Sequence, residues 1–275
     1  MKKNEDIPVH VLPDVEFLAS DKPLAFGEAS SSHRIKFYAI VWYLEDHPGQ
    51  LIDFEKHPIR KNLVYLIGKN QVHSIPGNTL PSGRVIVFSQ AFFDRIDEIH
   101  LRQLFLPFDN TGIELKGTAP VLLEALFSLI LAEQHNDEEY ALMLKYTTAF
   151  LLHIHRSVKD ASDVLPGDTR LVRLYELITE HFREERSTEF YASAIGLSAK
   201  RINELLREKT GVTINQLIAQ LLLIESKREL FLRFHSIKEI AYRLGFTDQS
   251  YFSRFFRKHS GTTPERFRDT VHELL

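Results

Sequence analysis

The spacing of apolar side chains changes from a strand-like to a helix-like pattern partway along the chain. Between residues 7 and 92, short apolar or alternating runs are separated by turn signals such as Ile75-Pro76-Gly77-Asn78. These runs lie at 37–44, 51–54, 63–67 and 85–88. Many short strands joined by polar turns predict a small barrel or sandwich.

Two later segments, 120–134 and 138–158, repeat apolar residues every three or four positions, which predicts two amphipathic helices. The expected faces are Leu122, Leu126, Leu129 and Ile130 in the first segment and Leu144, Thr148, Leu151 and His155 in the second. Residues 161–169 contain Ser, Asp, Pro and Gly without periodicity, so we expect an interdomain linker there. The predicted domains are therefore 1–160 and 170–275.

The region after residue 170 has helical spacing throughout and repeats itself. Residues 192–198 (ASAIGLS) recur 49 residues later as 241–247 (AYRLGFT), and the following residues match after a slip of one position. In each copy a Gly supplies the positive φ that ends one helix, and Ser198 or Thr247 can begin the next. A short helix, a turn and a second helix form the helix-turn-helix pattern, in which the second helix enters the major groove.

The second helix of each copy is rich in side chains that can bind DNA. The candidates are Lys200, Arg201, Asn203, Glu204 and Arg207 in the first copy and Gln249, Ser250, Tyr251, Ser253, Arg254, Arg257 and Lys258 in the second. Arg and Lys contact phosphates or guanine, and Asn and Gln can bind adenine. The alternative for any one residue is a solvated helix face, but two copies in register favour DNA binding.

Charge and length agree with this interpretation. The net charge is −3, yet residues 168–275 carry 18 basic and 15 acidic side chains while residues 1–167 carry 16 and 22. A basic half joined to an acidic half indicates polyanion binding by the basic half.

The helix expected at about 214–233 would be about 30 Å long. Because successive major grooves lie about 34 Å apart on one face of DNA, one chain could fill two neighbouring grooves.

Residues 240–258 (IAYRLGFTDQSYFSRFFRK) and 261–268 (GTTPERFR) closely resemble the signature of AraC-type regulators, and the resemblance extends over 170–270. It implies that the DNA-facing residues are Lys200, Arg201, Asn203 and Glu204 in the first unit and Gln249, Ser250, Tyr251, Ser253 and Arg254 in the second. Glu204 departs from the pattern, because the second unit has the basic Arg254 there. A carboxylate repels phosphate, although it can accept from cytosine N4.

The β-rich part resembles the cupin-like sensor domain that precedes this module in many family members, through residues 32–38, 67–74 and 85–93. Cupin enzymes hold a metal with about three His and one Glu. Ile35 and Ala39 stand where the first motif would supply a His and the Glu. Only His33 and His73 remain as ligands, too few for a catalytic metal. We therefore expect no metal, no cofactor and no enzyme activity.

A small-molecule effector is the partner expected for the N-terminal domain. The candidate pocket residues are His33, Arg34, Tyr38, Trp42, Tyr65 and His73, and the alternative is that they belong to the core. The resemblance also implies a homodimer through 120–158, with Leu122, Leu126, Leu129 and Phe127 at the seam. The alternative there is simple packing against the barrel.

The predicted fold class is a two-domain α+β protein, with a cupin-like β-barrel followed by helices and an all-α domain with two helix-turn-helix units. The chain has no Cys, which excludes disulfides and thiolate sites, and it lacks a long apolar segment, so we expect a cytoplasmic protein without a membrane partner. The predicted function is transcription regulation on double-stranded DNA, as an activator that contacts RNA polymerase and responds to a small molecule. The alternatives are a cupin-type enzyme and a regulator without an effector.

Overall fold

The computed structural model describes residues 9–12, 15–22, 33–77, 79–107, 110–134, 140–159 and 169–271. Two compact units divide the chain, one within 7–167 and the other within 168–275. The predicted linker at 161–169 lies outside the described residues except for Thr169, so its limits stay a prediction.

Short strands build most of the first unit. They are β1 Val9–His10, β2 Phe17–Ser20, β3 His33–Ile35, β4 Tyr38–Tyr43, β5 His47–Ile52, β6 Glu55–Ile59, β7 Leu63–Ile67, β8 Val72–Ser74, β9 Gly83–Phe88 and β10 Ile113–Glu114. They form two five-stranded sheets, ordered β1-β3-β8-β5-β6 and β10-β7-β4-β9-β2. β1 pairs with β3 in parallel, and the other pairs are antiparallel.

The closed barrel predicted from the sequence is not formed by the described strands, because both sheets are open at their edges. The two sheets instead share one apolar core, which includes Ile35 and Ile52 from the first sheet and Tyr65 and Val87 from the second. The apolar pattern shows that each strand buries a face, but it does not show which edge strands pair. The sequence therefore predicted strands correctly without deciding between sandwich and barrel.

The second sheet is buried on both faces. Along β4, Ala39 and Tyr43 face the core between the sheets, whereas Ile40 and Trp42 face a second core built with helices. This alternation follows from the period-two geometry of a strand. The helices on that side are α1 Gln90–Asp94, α2 Ile99–Arg102, α3 Ala119–Glu133 and α4 Tyr140–Lys159, with a 3-10 turn at Gln103–Phe105.

Helix α3 is rotated relative to the prediction. Leu123, Phe127 and Ile130 are buried against the sheet, while Leu122 and Leu129 are exposed. The assignment of Phe127 to a dimer seam and of Ile130 to the face of Leu122 was therefore wrong. Apolar residues surround much of α3, so the sequence offers two competing stripes and only packing selects the inner one.

Helices form the second unit. They are α5 Thr169–His181, α6 Thr188–Ala194, α7 Ala199–Thr210, α8 Ile214–Leu232, α9 Ile237–Arg243, α10 Gln249–Ser260 and α11 Pro264–Thr270. Short polar side chains accept backbone N–H groups at the start of α6 to α11, as this position favours. None of the helices in the described ranges combines the length and apolar character that crossing a lipid bilayer requires.

Candidate nucleic-acid interface

The same backbone motif joins α6 to α7 and α9 to α10. After α6, Gly196 has a φ of 70° and the Leu197 N–H donates to the Ala192 carbonyl at 2.9 Å. After α9, Gly245 has a φ of 74° and the Phe246 N–H donates to the Ala241 carbonyl at 2.9 Å. Both turns are Schellman motifs, in which a left-handed residue lets the chain leave the helix at once. The internal repeat therefore corresponds to two helix pairs of matching geometry.

The two pairs differ by one residue after the glycine. Ser198 caps α7 and accepts from the Arg201 N–H, as expected. In the second pair the cap is Asp248, which accepts from the Tyr251 N–H at 2.7 Å, so the expectation that Thr247 begins this helix was wrong. The extra residue accounts for the one-position slip in the repeat. Asp and Ser are equally good caps, and the sequence alone did not choose between adjacent candidates.

Both second helices bury one apolar face and expose the other. Ile202 and Leu206 of α7 and Phe252 and Phe256 of α10 are buried almost completely. On α10 the exposed residues are Gln249, Ser250, Tyr251, Arg254, Arg257 and Lys258, and Ser253 is half-buried. The α10 segment contains no acidic residue. Its outer face is therefore a positively charged surface with hydrogen-bond donors along its length.

The outer face of α7 mixes both charges. Lys200, Arg201, Glu204 and Arg207 are exposed. The Glu204 carboxylate accepts from Arg201 at 3.4 Å and lies 3.9 Å from the Lys200 ammonium. Exposed ion pairs within a helix contribute little free energy, so these basic side chains can leave Glu204 at small cost. The first pair nevertheless presents less positive charge than the second.

Asn203 is the one predicted DNA-facing residue of α7 whose side chain is used inside the domain. Its amide oxygen accepts from the Ile214 N–H at 3.1 Å, and its amide nitrogen donates to the Ala199 carbonyl at 3.1 Å. Ile214 is the first residue of α8, where the backbone N–H groups have no partner within the helix. Asn203 therefore helps to cap α8. A contact across eleven residues has no signature in the local sequence.

Helix α8 connects the two pairs. It spans 19 residues, which corresponds to about 28 Å of helix. It begins with a capping box at Thr213 and Gln216 and packs against α7, α9, α10 and α11. The expected connecting helix at 214–233 is thus present with nearly the same limits. A buried, capped helix of this kind is stiff enough to hold two helix pairs at one separation.

The residues proposed for an effector pocket lie in two places. Tyr65 and His73 approach the core between the two sheets, whereas Tyr38 and Trp42 face the helices on the other side of the second sheet. Arg34 is buried in β3. The His33 side chain lies outside the described residues, although its backbone pairs with His73. Among the described side chains, Tyr38 and Trp42 therefore lie on the opposite side of the second sheet from Tyr65.

A buried polar cluster that the sequence did not single out surrounds Gln50. The Tyr43 hydroxyl donates to the Gln50 carbonyl oxygen at 2.7 Å, and His73 Nε2 lies 2.9 Å from the same oxygen. Burial raises the pKa of both Tyr43 and Tyr65, so both phenols stay protonated. Gln50, Leu51 and Ile52 of β5 are all buried next to a register shift between His47 and Gln50, so no alternation in the sequence marked Gln50 as a core residue.

Comparison with known proteins is consistent with the helical unit described above. A helix-turn-helix domain family matches residues 191–270. The HTH-type transcriptional activator RhaS of Enterobacter sp. (strain 638) is 32% identical over 136 residues, which cover 49% of each chain. RhaS of Citrobacter koseri is 29% identical over 175 residues, covering 64% of this chain and 55% of the relative. The chain spans about half the length of these curated relatives.

Among solved structures, ToxT from Vibrio cholerae shows 15% identity and a TM-score of 0.44, and covers 92% of this chain and 98% of that one. The family match at residues 191–270 covers most of the first helix pair and all of the second. The chain therefore carries a helix-turn-helix domain at residues 191–270, and over about half its length it is similar to transcriptional activators named RhaS.

Proposed function

We propose that this protein is a sequence-specific regulator of transcription that inserts α7 and α10 into neighbouring major grooves of one duplex. The observation that carries the proposal is the pair of matching turns, each of which presents a second helix with a polar outer face. The length of α8, about 28 Å, is close to the separation of about 34 Å between successive grooves. RhaS relatives, named transcriptional activators, support the same conclusion.

On α10, we assign Gln249, Ser250, Tyr251, Ser253 and Arg254 to base edges and nearby sugars, and Arg257 and Lys258 to phosphates. The first turns of a recognition helix approach the bases, whereas basic residues further along meet the backbone. On α7, Lys200 and Arg201 take the base-contacting positions, Arg207 contacts phosphate, and Glu204 restricts the bases that are accepted. Asn203 is left out of the DNA-contacting set, because both ends of its amide are bonded within the domain.

Selection from a random duplex pool tests this proposal. The purified full-length protein should enrich one bipartite sequence whose two halves lie about one helical turn apart. Hydroxyl-radical footprinting should show two protected patches on one face of the DNA. Arg254→Ala should alter the preference in only one half, while Arg173→Ala, an exposed change on α5, should alter neither. If the full-length protein bound no duplex at low salt, the proposal would be refuted.

We propose further that the regulator is an activator that contacts RNA polymerase, as the activator relatives suggest. The test is transcription in vitro from a promoter that carries the selected sequence upstream. Added protein should raise the transcript level, and moving the site upstream by half a helical turn should abolish the increase. A decrease in transcript with the site in its original place would show a repressor instead.

A small molecule that binds between the two sheets is proposed as the effector. The Gln50 cluster supports this, because Gln50 Nε2 is buried without a hydrogen-bond partner among the described residues. A buried donor without a partner costs about 1–3 kcal/mol, which a ligand oxygen would recover. An effector that prefers one arrangement of the sensor would shift the population of DNA-binding states.

Native mass spectrometry of the protein purified from cells tests for such a ligand. A retained molecule should be lost in Gln50→Leu, whereas the exposed control Lys116→Ala should keep it. If a range of extracts yields no bound molecule and Gln50→Leu is as stable as the wild type, a regulator without an effector is the better description.

A homodimer through α3 and α4 is the remaining proposal. Val121, Leu122 and Leu129 of α3 and Leu152 of α4 are exposed, and Trp42 and Leu44 line an adjoining groove. Contiguous exposed apolar side chains are typical of protein interfaces. Sedimentation should show a dimer that Leu129→Lys converts to a monomer without loss of folding. A wild-type monomer at high concentration would exclude this interface.

A further inference from the structure

The loop before the first helix pair is bonded directly to the turn of the second pair. Arg186, which precedes the Ser187 cap of α6, donates from Nη2 to the Leu244 carbonyl at 2.7 Å. Its guanidinium carbon lies 4.3 Å from the centre of the Phe246 ring. One side chain therefore contacts both residues that flank Gly245. The Arg186 contacts are thus a second physical connection between the two helix pairs, in addition to α8.

Gly245 is held against the same loop. A Cβ at this position would lie 1.9 Å from the Arg183 carbonyl oxygen, so only glycine allows the two backbones to approach this closely. The corresponding Gly196 of the first pair has no described atom within 4 Å of its would-be Cβ. Both glycines have a positive φ because of the turn. Close packing is therefore specific to the second turn.

An ion network that is buried only on the α8 side links the loop to the middle of α8, since the Arg183 side chain is 43% exposed. Arg183 Nη2 lies 3.2 Å from Glu225 Oε1, and Arg228 Nη1 lies 3.1 Å from Glu225 Oε2. Glu225 and Arg228 are each only 5% exposed. The buried pair of Glu225 and Arg228 holds its geometry because both charges are removed from water together, and Arg183 attaches the loop to this pair from the partly exposed side. The loop is thus anchored to the connecting helix as well as to the second turn.

The contact leads directly to the recognition surface of the second pair. Phe246 is buried, and its ring centre lies 5.1–5.5 Å from those of Tyr251, Phe252 and Phe255 on α10. Aromatic rings at these distances pack in defined relative orientations. The position of Arg186 therefore constrains the Phe246 ring, and this ring in turn constrains α10.

We propose that Arg186 is a positioning residue that locks the angle between α7 and α10, so that the protein accepts two half-sites at only one spacing. The proposal rests on the proposed two-groove binding to DNA. Helix α8 sets the separation of the pairs and packs against α9, α10 and α11, and the Arg186 contact adds a restraint against rotation of the second pair about the joint after α8. This joint includes Arg233 with a φ of 56° and a short connection to Ser236.

The test compares spacing tolerance rather than affinity alone. The probe is the duplex selected by the wild-type protein, together with versions that carry one, two or five extra base pairs between the half-sites. Two extra base pairs rotate the second half-site by about 70° around the helix. The full-length wild type should lose at least about tenfold in affinity on that probe, equivalent to about 1.4 kcal/mol. Arg186→Ala should lose about threefold or less, because the pairs can reorient.

Arg186→Lys provides the matched conservative change. Lysine keeps the positive charge, but it cannot combine a planar stack on Phe246 with a directed bond to the Leu244 carbonyl. Arg186→Lys should show a loss of affinity on the probe with two extra base pairs that lies between those of the wild type and Arg186→Ala. If the alanine variant does not fold, the lysine variant is used for the comparison instead. Arg173→Ala on α5 is the exposed control and should keep the full wild-type penalty.

The outcomes separate this proposal from the one on which it rests. If the wild type tolerates every spacing equally, the two-groove model fails and this inference fails with it. If the wild type is sensitive to spacing and both Arg186 variants are equally sensitive, Arg186 does not position α10, although the two-groove model stands. A uniform loss of affinity on all probes with an unchanged spacing penalty would likewise overturn the inference, since that is the effect of simple destabilisation.

Discussion

Replacing Asn203 separates a structural role from a role in reading DNA. Its amide oxygen accepts from the Ile214 N–H at 3.1 Å, at the start of the helix that connects the two pairs. Asn203→Ala removes this acceptor from the N–H of Ile214, a residue that is fully buried. Loss of such a cap costs about 1–2 kcal/mol. In a helical unit of about 100 residues, each kcal/mol lowers the melting temperature by about 4–8 °C.

Asn203→Asp is the discriminating partner of this variant. Aspartate keeps an acceptor for the Ile214 N–H, and its negative charge is favourable at the N-terminus of α8. The carboxylate cannot donate to the Ala199 carbonyl as the Asn203 amide does, so we expect a free energy of unfolding lower than that of the wild type by at most about 1 kcal/mol, a smaller loss than in Asn203→Ala. An Asn that reads adenine needs both its donor and its acceptor, so Asp at such a position would change the base preference.

The assay is thermal unfolding of the full-length variants followed by circular dichroism, combined with repeated selection of the preferred duplex. Both variants should select the wild-type sequence, and only Asn203→Ala should be clearly less stable. Asn203→Asp adds negative charge near the DNA, so a modest loss of affinity that is equal for all duplexes is compatible with a capping role for Asn203. If Asn203→Asp instead changed the preferred base at one position while stability stayed the same in both variants, the cap assignment would be refuted.

The other predictions concern the exposed faces and one cap. Arg254→Ala should cost about 1–3 kcal/mol of DNA-binding free energy and relax the preference at one base pair. Arg257→Ala should weaken binding to all duplexes equally and reduce the slope of log affinity against log salt concentration by about one. Glu204→Gln should increase affinity for non-specific DNA, measured by fluorescence anisotropy, because it removes a charge that repels phosphate. The hydrogen bonds of Glu239 to Ser236 lower the pKa of the Glu239 carboxyl. The capping box therefore stabilises the fold fully above the usual pKa of 4.5, and this stabilisation is lost as the pH falls through the lowered pKa. Glu239→Gln should remove this part of the acid dependence of unfolding, and an unchanged acid transition would contradict it.

Local patterns in the sequence were sufficient to locate the helices and turns of the second, helical unit. The expected turns at Gly196 and Gly245 and the helix between the repeats appear where the pattern placed them. Each signal is local, because a helix end depends on the few residues around it. For the same reason β7 and β9 could be located from their apolar runs. The residue that caps α10 could not be predicted in this way, since Thr247 and Asp248 are both suitable N-caps.

The first unit was less predictable, because its candidate pocket residues are distant in sequence. Tyr38 and Trp42 were grouped with Tyr65 and His73, yet the sheet separates the two sets. Residues on neighbouring strands share a side only when the register is known, and a shift of one residue reverses every side chain. The Gln50 cluster depends on pairings of this kind and had no motif of its own.

The sequence by itself determined the repeated helices with their turns at Gly196 and Gly245, the polar outer faces of α7 and α10, and the length of the connecting helix, because each depends on residues within a few turns of one another. Only the tertiary structure decided that Asn203 caps α8, that Phe127 faces the sheet, and that Arg186 reaches the turn at Gly245. These are contacts between segments that are remote in the chain. Their geometry is set by packing of the whole domain, which local apolar spacing does not specify.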